Sequence, residues 1–415
     1  MLKEQIIIGL DVGTCFIRTV VAKIRPDNQI KPQIIGVGQT PSFGLRRGVV
    51  VDVEETTKNI SQSIQAAERS SGLSIDQVVV SISGNHIASR PSKGVVAVSR
   101  ADGEVSKEDV DRAISAAAAI SLAQNREILH TIPRSFSVDS QGGISEPVGM
   151  SGVRLEVDTL IVEGAISFIK NLTKCISEAG LEIEELVLAS LAASRSALGK
   201  RQKELGVLAL DLGGGTAGLT VFEEGNILHS CVLPVGSSHI TNDIAIGLRG
   251  GIDLAEKVKL EYGSALGSEI SKKSLIDLSK LGLEGKGVVP RVVVAEIIEA
   301  RLSEILELTN KELRKVDRQG LLPAGIVLLG GGAKMPGLVD LARDKLKLPV
   351  QVGFPLELEG IIDEVDDPTY ATVIGLILWS MDKRIKGSGR GISLPEISIG
   401  PTIIKLKKWL SGFSP

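Results

Sequence analysis

One unit of sequence occurs twice in this chain, and it constrains the fold more than any other feature. An apolar run ends in LDVGT at residues 10–14, and another ends in LDLGGGT at residues 210–216, two hundred positions later. A second apolar run of strand length follows the glycines in both places. A strand–turn–strand unit that recurs at this distance predicts a duplicated core with two similar lobes.

The regions around the repeated unit indicate an α/β protein with an insertion. Apolar runs of strand length alternate with helical segments over the first eighty or so residues, which is typical of α/β folds. From Gly84 to Glu163 the pattern changes to short β-rich pieces and an Ala-rich helix that starts after Ser106, a suitable N-cap. We interpret this segment as an inserted subdomain. The length of 415 residues also predicts more than one compact unit.

Composition excludes several functional classes. With 47 Lys and Arg against 50 Asp and Glu, and 3% aromatic residues, no global basic field or base-stacking surface for nucleic acid is expected. Cys15, Cys175 and Cys231 are odd in number and far apart, which argues against disulfides, zinc and secretion. No uninterrupted apolar run reaches eighteen residues, so no segment is expected to span a membrane.

Three glycine-rich turns suggest a phosphate-binding site. LLGGGAKMPG at residues 328–337 also follows a strand-like run and is predicted to open a helix. Glycines let backbone N–H groups approach a phosphate, and the Asp of each repeated turn suggests Mg²⁺ held directly or through its waters. The candidate nucleotide-binding residues of the turns are Asp11, Gly13, Thr14, Cys15, Asp211, Gly213, Gly214, Gly215, Thr216, Gly330, Gly331, Gly332 and Met335, with Asp11 and Asp211 also the candidate metal ligands.

The order of these turns resembles the two phosphate motifs and the adenosine motif of the actin-like ATPase superfamily. Stretches such as IIGVGQTPSFGLRRGVVVDVEET, PVGSSHITNDIAIGL and AEKVKLEYGSAL narrow the resemblance to the FtsA family of bacterial cell-division proteins, over essentially the whole chain. The resemblance implies a two-lobed actin-like fold, which is a duplicated ribonuclease-H-like fold, with ATP or ADP between the lobes. It also implies that Glu256 and Lys259 contact the ribose and adenine.

The same resemblance suggests how the chain divides. Lobe 1 is expected to comprise residues 1–83 and 164–199, with the inserted subdomain at 84–163 between them. Lobe 2 is expected to begin with residues 200–236, to carry a second subdomain at 237–322, and to return to lobe 1 through 323–383. Residues 384–400 have the composition of a flexible linker, and residues 401–415 are predicted to form an amphipathic helix.

The final segment, PTIIKLKKWLSGF, has the pattern of a helix that lies in a membrane interface. At about 100° per residue, apolar side chains share one face, two lysines lie opposite, and a third lysine at the edge can extend to the headgroups. A terminal helix packed back onto the protein is the alternative. The candidate membrane-contacting residues are Ile403, Leu406, Lys407, Trp409, Leu410 and Phe413.

The resemblance implies a function as well as a fold. It implies an ATP-binding protein that polymerises on the cytoplasmic face of the cell membrane, at the division site, and tethers the ring of the tubulin-like protein FtsZ. The implied partners are the C-terminal peptide of FtsZ, further copies of this chain, anionic lipid and other division proteins. Arg301 is the candidate contact for the FtsZ peptide.

Three positions depart from the family pattern. Ala189 stands where bacterial actins typically carry a Glu or Gln that orients the attacking water, Gly218 where relatives usually have Asp, and Phe16 where Lys is common. Because alanine cannot hydrogen-bond to water, ATP hydrolysis is expected to be weak or absent. Two alternatives stay open at this point: an actin-like component of a pilus or secretion assembly, and a small-molecule kinase.

Overall fold

The structure is a computed structural model that describes residues 5–24, 31–281 and 287–387. Within these residues the strands are β1 (Gln5–Val12), β2 (Phe16–Ile24), β3 (Gln33–Pro41), β4 (Leu45–Arg46), β5 (Val49–Val50), β6 (Gln77–Ile82), β7 (Ala88–Ala97), β8 (Arg126–Val138), β9 (Gln141–Ile144), β10 (Arg154–Ala165), β11 (Glu182–Leu188), β12 (Val207–Leu212), β13 (Ala217–Glu223), β14 (Asn226–Leu233), β15 (Leu275–Asp277), β16 (Val288–Pro290), β17 (Ile326–Leu329), β18 (Val350–Val352) and β19 (Glu359–Gly360). The α-helices are α1 (Val53–Ser71), α2 (Lys107–Ala118), α3 (Ile166–Glu178), α4 (Ala189–Ala197), α5 (Lys200–Leu205), α6 (Ser237–Gly247), α7 (Ile252–Tyr262), α8 (Arg291–Arg314), α9 (Leu338–Leu346) and α10 (Ala371–Gly387).

The two lobes repeat one sheet topology. In lobe 1 the order is β11-β6-β1-β2-β3-β19, where β1, β2 and β3 are antiparallel neighbours and β6 and β11 run parallel to β1. In lobe 2 the order is β14-β13-β12-β17-β18, with the same antiparallel trio and the same parallel pair. The predicted duplicated, two-lobed α/β fold is therefore confirmed. Asp11 and Asp211 lie near the carboxyl ends of the corresponding strands β1 and β12.

The inserted subdomain is a four-stranded antiparallel sheet with one helix packed on it. Its strand order is β7-β10-β8-β9, and α2 lies against β7 and β10. The predicted N-cap is confirmed, because the Ser106 hydroxyl accepts from the Asp109 backbone N–H at 3.2 Å and the Asp109 carboxylate accepts from the Ser106 N–H at 3.0 Å. Several hydrogen bonds to this buried carboxylate hold the pKa of Asp109 well below its usual range, against the opposing effect of burial.

The C-terminal helix α10 returns to lobe 1 and crosses α4. Its apolar residues from Val373 to Leu378 are fully buried, which anchors the end of the described chain in the core of lobe 1. The two helices touch so closely at Gly375 that an added Cβ would overlap the carbonyl oxygen of Ala192. Helix α10 runs to Gly387, four residues into the stretch predicted to be a linker. The predicted helix at 401–415 lies outside the described residues.

The contact between α4 and α10 generates a stability prediction whose sign decides between two effects. Helix propensity alone would make Gly375→Ala stabilising by up to about 1 kcal/mol. Because the new methyl group would meet the Ala192 carbonyl, we expect a loss of about 1–3 kcal/mol instead, as is typical of overpacking. Denaturant unfolding followed by circular dichroism measures this free energy of unfolding.

Gly287→Ala is the matched control for this prediction. Among the described residues, nothing lies within 4 Å of a Cβ added at Gly287, and its backbone is not in the left-handed region. We expect its effect on the free energy of unfolding to stay within about 0.5 kcal/mol. A stabilising effect of Gly375→Ala would contradict the steric account of the helix crossing.

Candidate nucleotide site between the lobes

The two repeated turns meet at the junction of the lobes. The first turn, residues 13–15, connects β1 and β2, and the second, residues 213–216, connects β12 and β13. A Cβ added to Gly214 would overlap the Cys15 sulfur, and one added to Gly215 would lie 2.7 Å from the Thr14 hydroxyl oxygen. Glycine is therefore required where the second turn approaches the first. The structure brings these predicted residues together.

The third turn packs against the end of β12. Gly330 has a φ of +75°, and an added Cβ would lie 2.5 Å from Oδ1 of Asp211, so this position favours glycine twice over. The turn does not open an α-helix directly, as the sequence had suggested. It forms a 3₁₀ turn over residues 331–334, and α9 begins only at Leu338. Pro336 explains the delay, because a proline has no N–H and keeps the preceding Met335 extended.

Asp11 and Asp211 share a site in which burial outweighs the effect of the nearby Arg18 on the pKa of both carboxyls. Ser81 donates to Oδ1 of Asp11 at 2.7 Å, and Thr372 donates to Oδ2 of Asp211 at 3.3 Å. Burial raises the pKa of the Asp11 carboxyl. Burial, and then repulsion from Asp11, raises the pKa of Asp211 to about 7. Two carboxylates that repel each other, each with an oxygen left over, fit a divalent cation that takes oxygen ligands.

Hydroxyl groups from both lobes line the turns, and the sequence had singled out those of Thr14 and Thr216 but not those of Ser81, Ser83 and Ser238 as site residues. The Thr14 hydroxyl accepts from the Gly48 N–H at 3.2 Å, and the hydroxyls of Ser83 and Thr216 lie 3.4 Å apart. The Cys15 sulfur lies 3.3 Å from the Ser238 hydroxyl of the opposite lobe. Ser81 and Ser83 come after the strand-like run VVV of β6. Their position at the end of a parallel strand is the sequence signal that could have marked them as site residues.

The predicted base-binding residues lie on and beside α7. Lys259 is buried, and its Nζ lies 2.7 Å from Oε2 of Glu256 and 2.9 Å from the Thr241 hydroxyl. Met335, at the end of the third turn, is close to the end of the same helix, since a Cβ added to Gly263 would lie 3.1 Å from its sulfur. The structure thus gathers Glu256, Lys259 and Met335 where the third turn meets α7.

The structure locates the three positions that depart from the family pattern and explains the glycine at 218. Ala189 is the first residue of α4 and is buried. A Cβ on Gly218 would lie 2.9 Å from the Cβ of Ser190, so the start of α4 leaves no room for the side chain that relatives carry. The Arg18 guanidinium lies 5.2 Å from the ring centres of both Phe16 and Tyr370, and these two rings sandwich it beside the first turn.

The predicted partner contact, Arg301, lines a groove formed by residues other than those of the turns. The groove has a volume of about 410 Å³ and lies between α6 and α8. Arg301 donates to both carboxylate oxygens of Asp243, at 2.6 and 2.9 Å, and it also pairs with Glu304. Apolar side chains of Ile246 and Ile297 line the rest of the groove, which suits a peptide that has both charged and apolar residues.

The six predicted membrane-contacting residues lie outside the described residues. They are Ile403, Leu406, Lys407, Trp409, Leu410 and Phe413. Within the part of the chain that is described, no helix is both long and apolar enough to cross a bilayer.

Comparison with known proteins identifies the family. The chain matches a family model described as cell division protein FtsA over residues 208–375, and one described as an SHS2 domain inserted in FtsA over residues 84–163. Cell division protein FtsA of Pseudomonas aeruginosa is 37% identical over 98% of both chains. That of Bacillus subtilis is 38% identical over 96% of this chain and 89% of its own.

Solved structures share the fold at lower identity. A structure of the PilM–PilN type IV pilus biogenesis complex aligns with a TM-score of 0.66 and 19% identity, over 90% of this chain and 98% of the other. Spiroplasma citri MreB5 bound to ADP aligns with a TM-score of 0.54 and 15% identity, over 92% and 98%. These likenesses show the fold, whereas the full-length relatives show the family. With more than a third of its residues identical across nearly its whole length, the chain belongs to the FtsA family of cell-division proteins.

Proposed function

We propose that this chain binds ATP, or ADP, with Mg²⁺ between its lobes and acts as a membrane-attached polymer in cell division. The observation that carries the proposal is the meeting of Asp11 and Asp211 at a junction lined by three glycine turns. A bacterial actin of the same fold is described as bound to ADP, which supports a nucleotide as the ligand.

Different residues of the junction would contact different parts of the nucleotide. The glycine turns present backbone N–H groups to the phosphates, and the hydroxyls of Thr14 and Thr216 can add donors. Asp11 and Asp211 would hold Mg²⁺, directly or through its waters. A cation held there would offset the negative charge of the phosphates and of both carboxylates. Lys259 and Glu256, fixed to each other and to Thr241, would contact the adenosine.

Turnover of the nucleotide is expected to be slow. Ala189 lies at the start of α4, next to Ser190, which packs on β13 beside the second turn. Its methyl group can neither accept a proton from water nor orient it. Phosphate release measured over many turnovers tests this expectation, and brisk release would contradict it. With slow turnover, the nucleotide would act mainly by stabilising one arrangement of the lobes.

The proposed setting is the cytoplasmic face of the cell membrane at the division site. The C-terminal amphipathic segment would anchor each copy, and each lysine near anionic lipid contributes about 1 kcal/mol. Such weak anchors become effective when many copies polymerise, because they bind the surface together. Through the groove at Arg301 the polymer would hold the C-terminal peptide of FtsZ. A pilus or secretion role and a kinase role are less well supported, because the full-length relatives are cell-division proteins.

The Asp211 carboxyl generates a prediction about pH. Its folded pKa of about 7 lies above the ordinary value of 3.8, so between these values the folded protein holds a proton that the unfolded chain has lost. Stability without nucleotide should therefore fall as pH rises through this window. Between about pH 5 and pH 8 we expect the free energy of unfolding of wild type to fall by roughly 1–3 kcal/mol. The Asp211→Asn variant should not show this fall. Denaturant unfolding measures both.

The same variant tests the metal site. Mg²⁺ with ADP should stabilise wild type against unfolding, but it should add little to Asp211→Asn, which lacks the second carboxylate. The control is Asp340→Asn, a surface change whose carboxylate pairs with Arg343 on α9. The control should match wild type both in the pH dependence of its stability and in its stabilisation by Mg²⁺ with ADP. A Mg·ADP effect that survives in Asp211→Asn would count against the proposed site.

The C-terminal segment generates a prediction about membranes. The intact chain should co-sediment with anionic liposomes, and more so with Mg·ATP, whereas a chain that ends at Gly400 should stay in solution. Trp409→Glu should abolish co-sedimentation because it places a charge on the apolar face. Ser411→Glu adds the same charge away from that face, and its co-sedimentation with liposomes should decrease only slightly. Equal sedimentation of Trp409→Glu and wild type would mean that this face does not enter the lipid.

The groove at Arg301 generates a prediction about the partner. Arg301→Gln removes a guanidinium that can form charge-assisted hydrogen bonds, each contributing about 1.5–3 kcal/mol, so the affinity for the FtsZ C-terminal peptide should fall about tenfold or more. Fluorescence anisotropy of a labelled peptide measures this. We choose Gln because a glutamate would add a third carboxylate beside Asp243 and Glu304. Arg314→Gln, on the same helix, is the control, and an equal loss there would point to general electrostatics.

A further inference from the structure

Three side chains that commonly bind metals converge at a second place in lobe 2. His229 and Cys231 belong to β14, and Glu312 belongs to α8. One ligand atom from each residue lies within 4.8 Å of the others. Nε2 of His229 is 3.0 Å from Oε2 of Glu312. None of these residues takes part in the nucleotide site or in the groove at Arg301.

The strand and the helix fix this convergence. Residues 229 and 231 point to the same face of β14 because side chains alternate along a strand. Ser230 points to the opposite face, where it is buried and donates to the Leu219 carbonyl at 2.9 Å. Ser89 of β7 in the inserted subdomain donates to the Ser230 carbonyl. The strand is thus held at Ser230, between His229 and Cys231, and this fixes the direction of both side chains toward α8.

The geometry points to a binding site for Zn²⁺ formed by His229, Cys231 and Glu312, with a water molecule as the fourth ligand. Nitrogen, sulfur and oxygen donors together suit zinc better than Mg²⁺ or Ca²⁺, which take oxygen ligands. The side chains of His229 and Glu312 are 15% and 14% exposed, so water can reach the site. Three protein ligands and one open position are typical of zinc sites that exchange a ligand.

The surrounding charges are compatible with a bound cation. Lys315 lies 2.7 Å from Oε1 of Glu312, so it orients the carboxylate while leaving Oε2 toward His229. Carboxylates that bind metals are commonly oriented by a hydrogen bond from a neighbouring residue. Burial, together with Lys315 and Arg134, lowers the pKa of His229 despite Glu312, which keeps the imidazole neutral as a ligand must be. The positive charges of Lys315 and Arg134 reduce the affinity without blocking the ligand atoms.

Binding requires one proton to leave. In the metal-free protein Cys231 is a thiol, because burial and the nearby Glu312 raise its pKa. On binding, a sulfur–metal bond replaces the S–H bond, the proton passes to solvent, and no oxidant or reductant is involved. The imidazole proton that Nε2 donates to Glu312 moves to Nδ1 through solvent, with no net change, and two bonds to the metal replace the contact between His229 and Glu312.

Co²⁺ is the probe for this site, because a thiolate–cobalt bond gives a charge-transfer absorption that Mg²⁺ sites lack. We would titrate CoCl₂ into the full-length protein without nucleotide. The expected result is a near-ultraviolet band that saturates at one Co²⁺ per chain and disappears when ZnCl₂ is added. The band should be lost in Cys231→Ser. His229→Gln and Glu312→Gln should weaken binding at least about tenfold, since even outer-shell partners of a metal have effects of this size.

Cys15→Ser and Cys175→Ser serve as the controls, because each removes one of the other two thiols. Both should keep the full band. The proposal is overturned if wild type gives no thiolate–cobalt band, or if the band survives Cys231→Ser and disappears in Cys15→Ser, which would assign the metal to the exposed thiol of the first turn. Circular dichroism of each variant checks that the site was lost by removal of a ligand and not by unfolding.

Discussion

Close backbone contact at the junction of the two lobes is the constraint on which the rest of the structure depends. Gly214 and Gly215 of the second turn lie directly against the Cys15 and Thr14 side chains of the first, and Gly375 of α10 lies against the Ala192 carbonyl of α4. These approaches hold the carboxyl ends of β1 and β12 at one junction, where the Asp11 carboxyl repels that of Asp211. Only then can Asp11 and Asp211, which lie far apart in the chain, share the cation proposed above.

The two buried carboxyls of the junction lower the stability of the fold, which fits the ligand site proposed there. Two buried carboxylates raise each other's free energy, and the hydroxyls of Ser81 and Thr372 offset only part of that cost. Proteins accept such local penalties at functional sites and recover the stability elsewhere. Here the recovery comes from the apolar cores beneath each sheet, which include strands β1 and β12 and the buried face of α10.

A second contact between regions lies at the outer edge of lobe 2. Strand β14 is an edge strand of its sheet, and the inserted subdomain covers it through Ser89, while α8 covers one of its faces. Covering an edge strand prevents unwanted pairing with other chains. It also gathers His229, Cys231 and Glu312 at a point where lobe 2 meets the insertion. The two lobes and the insertion are therefore connected at the centre of the molecule and again at its periphery.

The sequence by itself determined the duplicated fold and predicted the chemistry of the main site. Repetition of the Asp–glycine turn predicted the duplicated fold, and its carboxylates and glycines predicted a site for phosphate and metal. Other features required the tertiary structure, because their partners are remote in the chain. Ser81 meets Asp11 across 70 residues and Thr372 meets Asp211 across 161. The spacing of the cysteines argued against zinc, yet Cys231 meets His229 and Glu312. Local patterns reveal periodicity and turns, whereas contacts between distant residues depend on how helices and sheets pack.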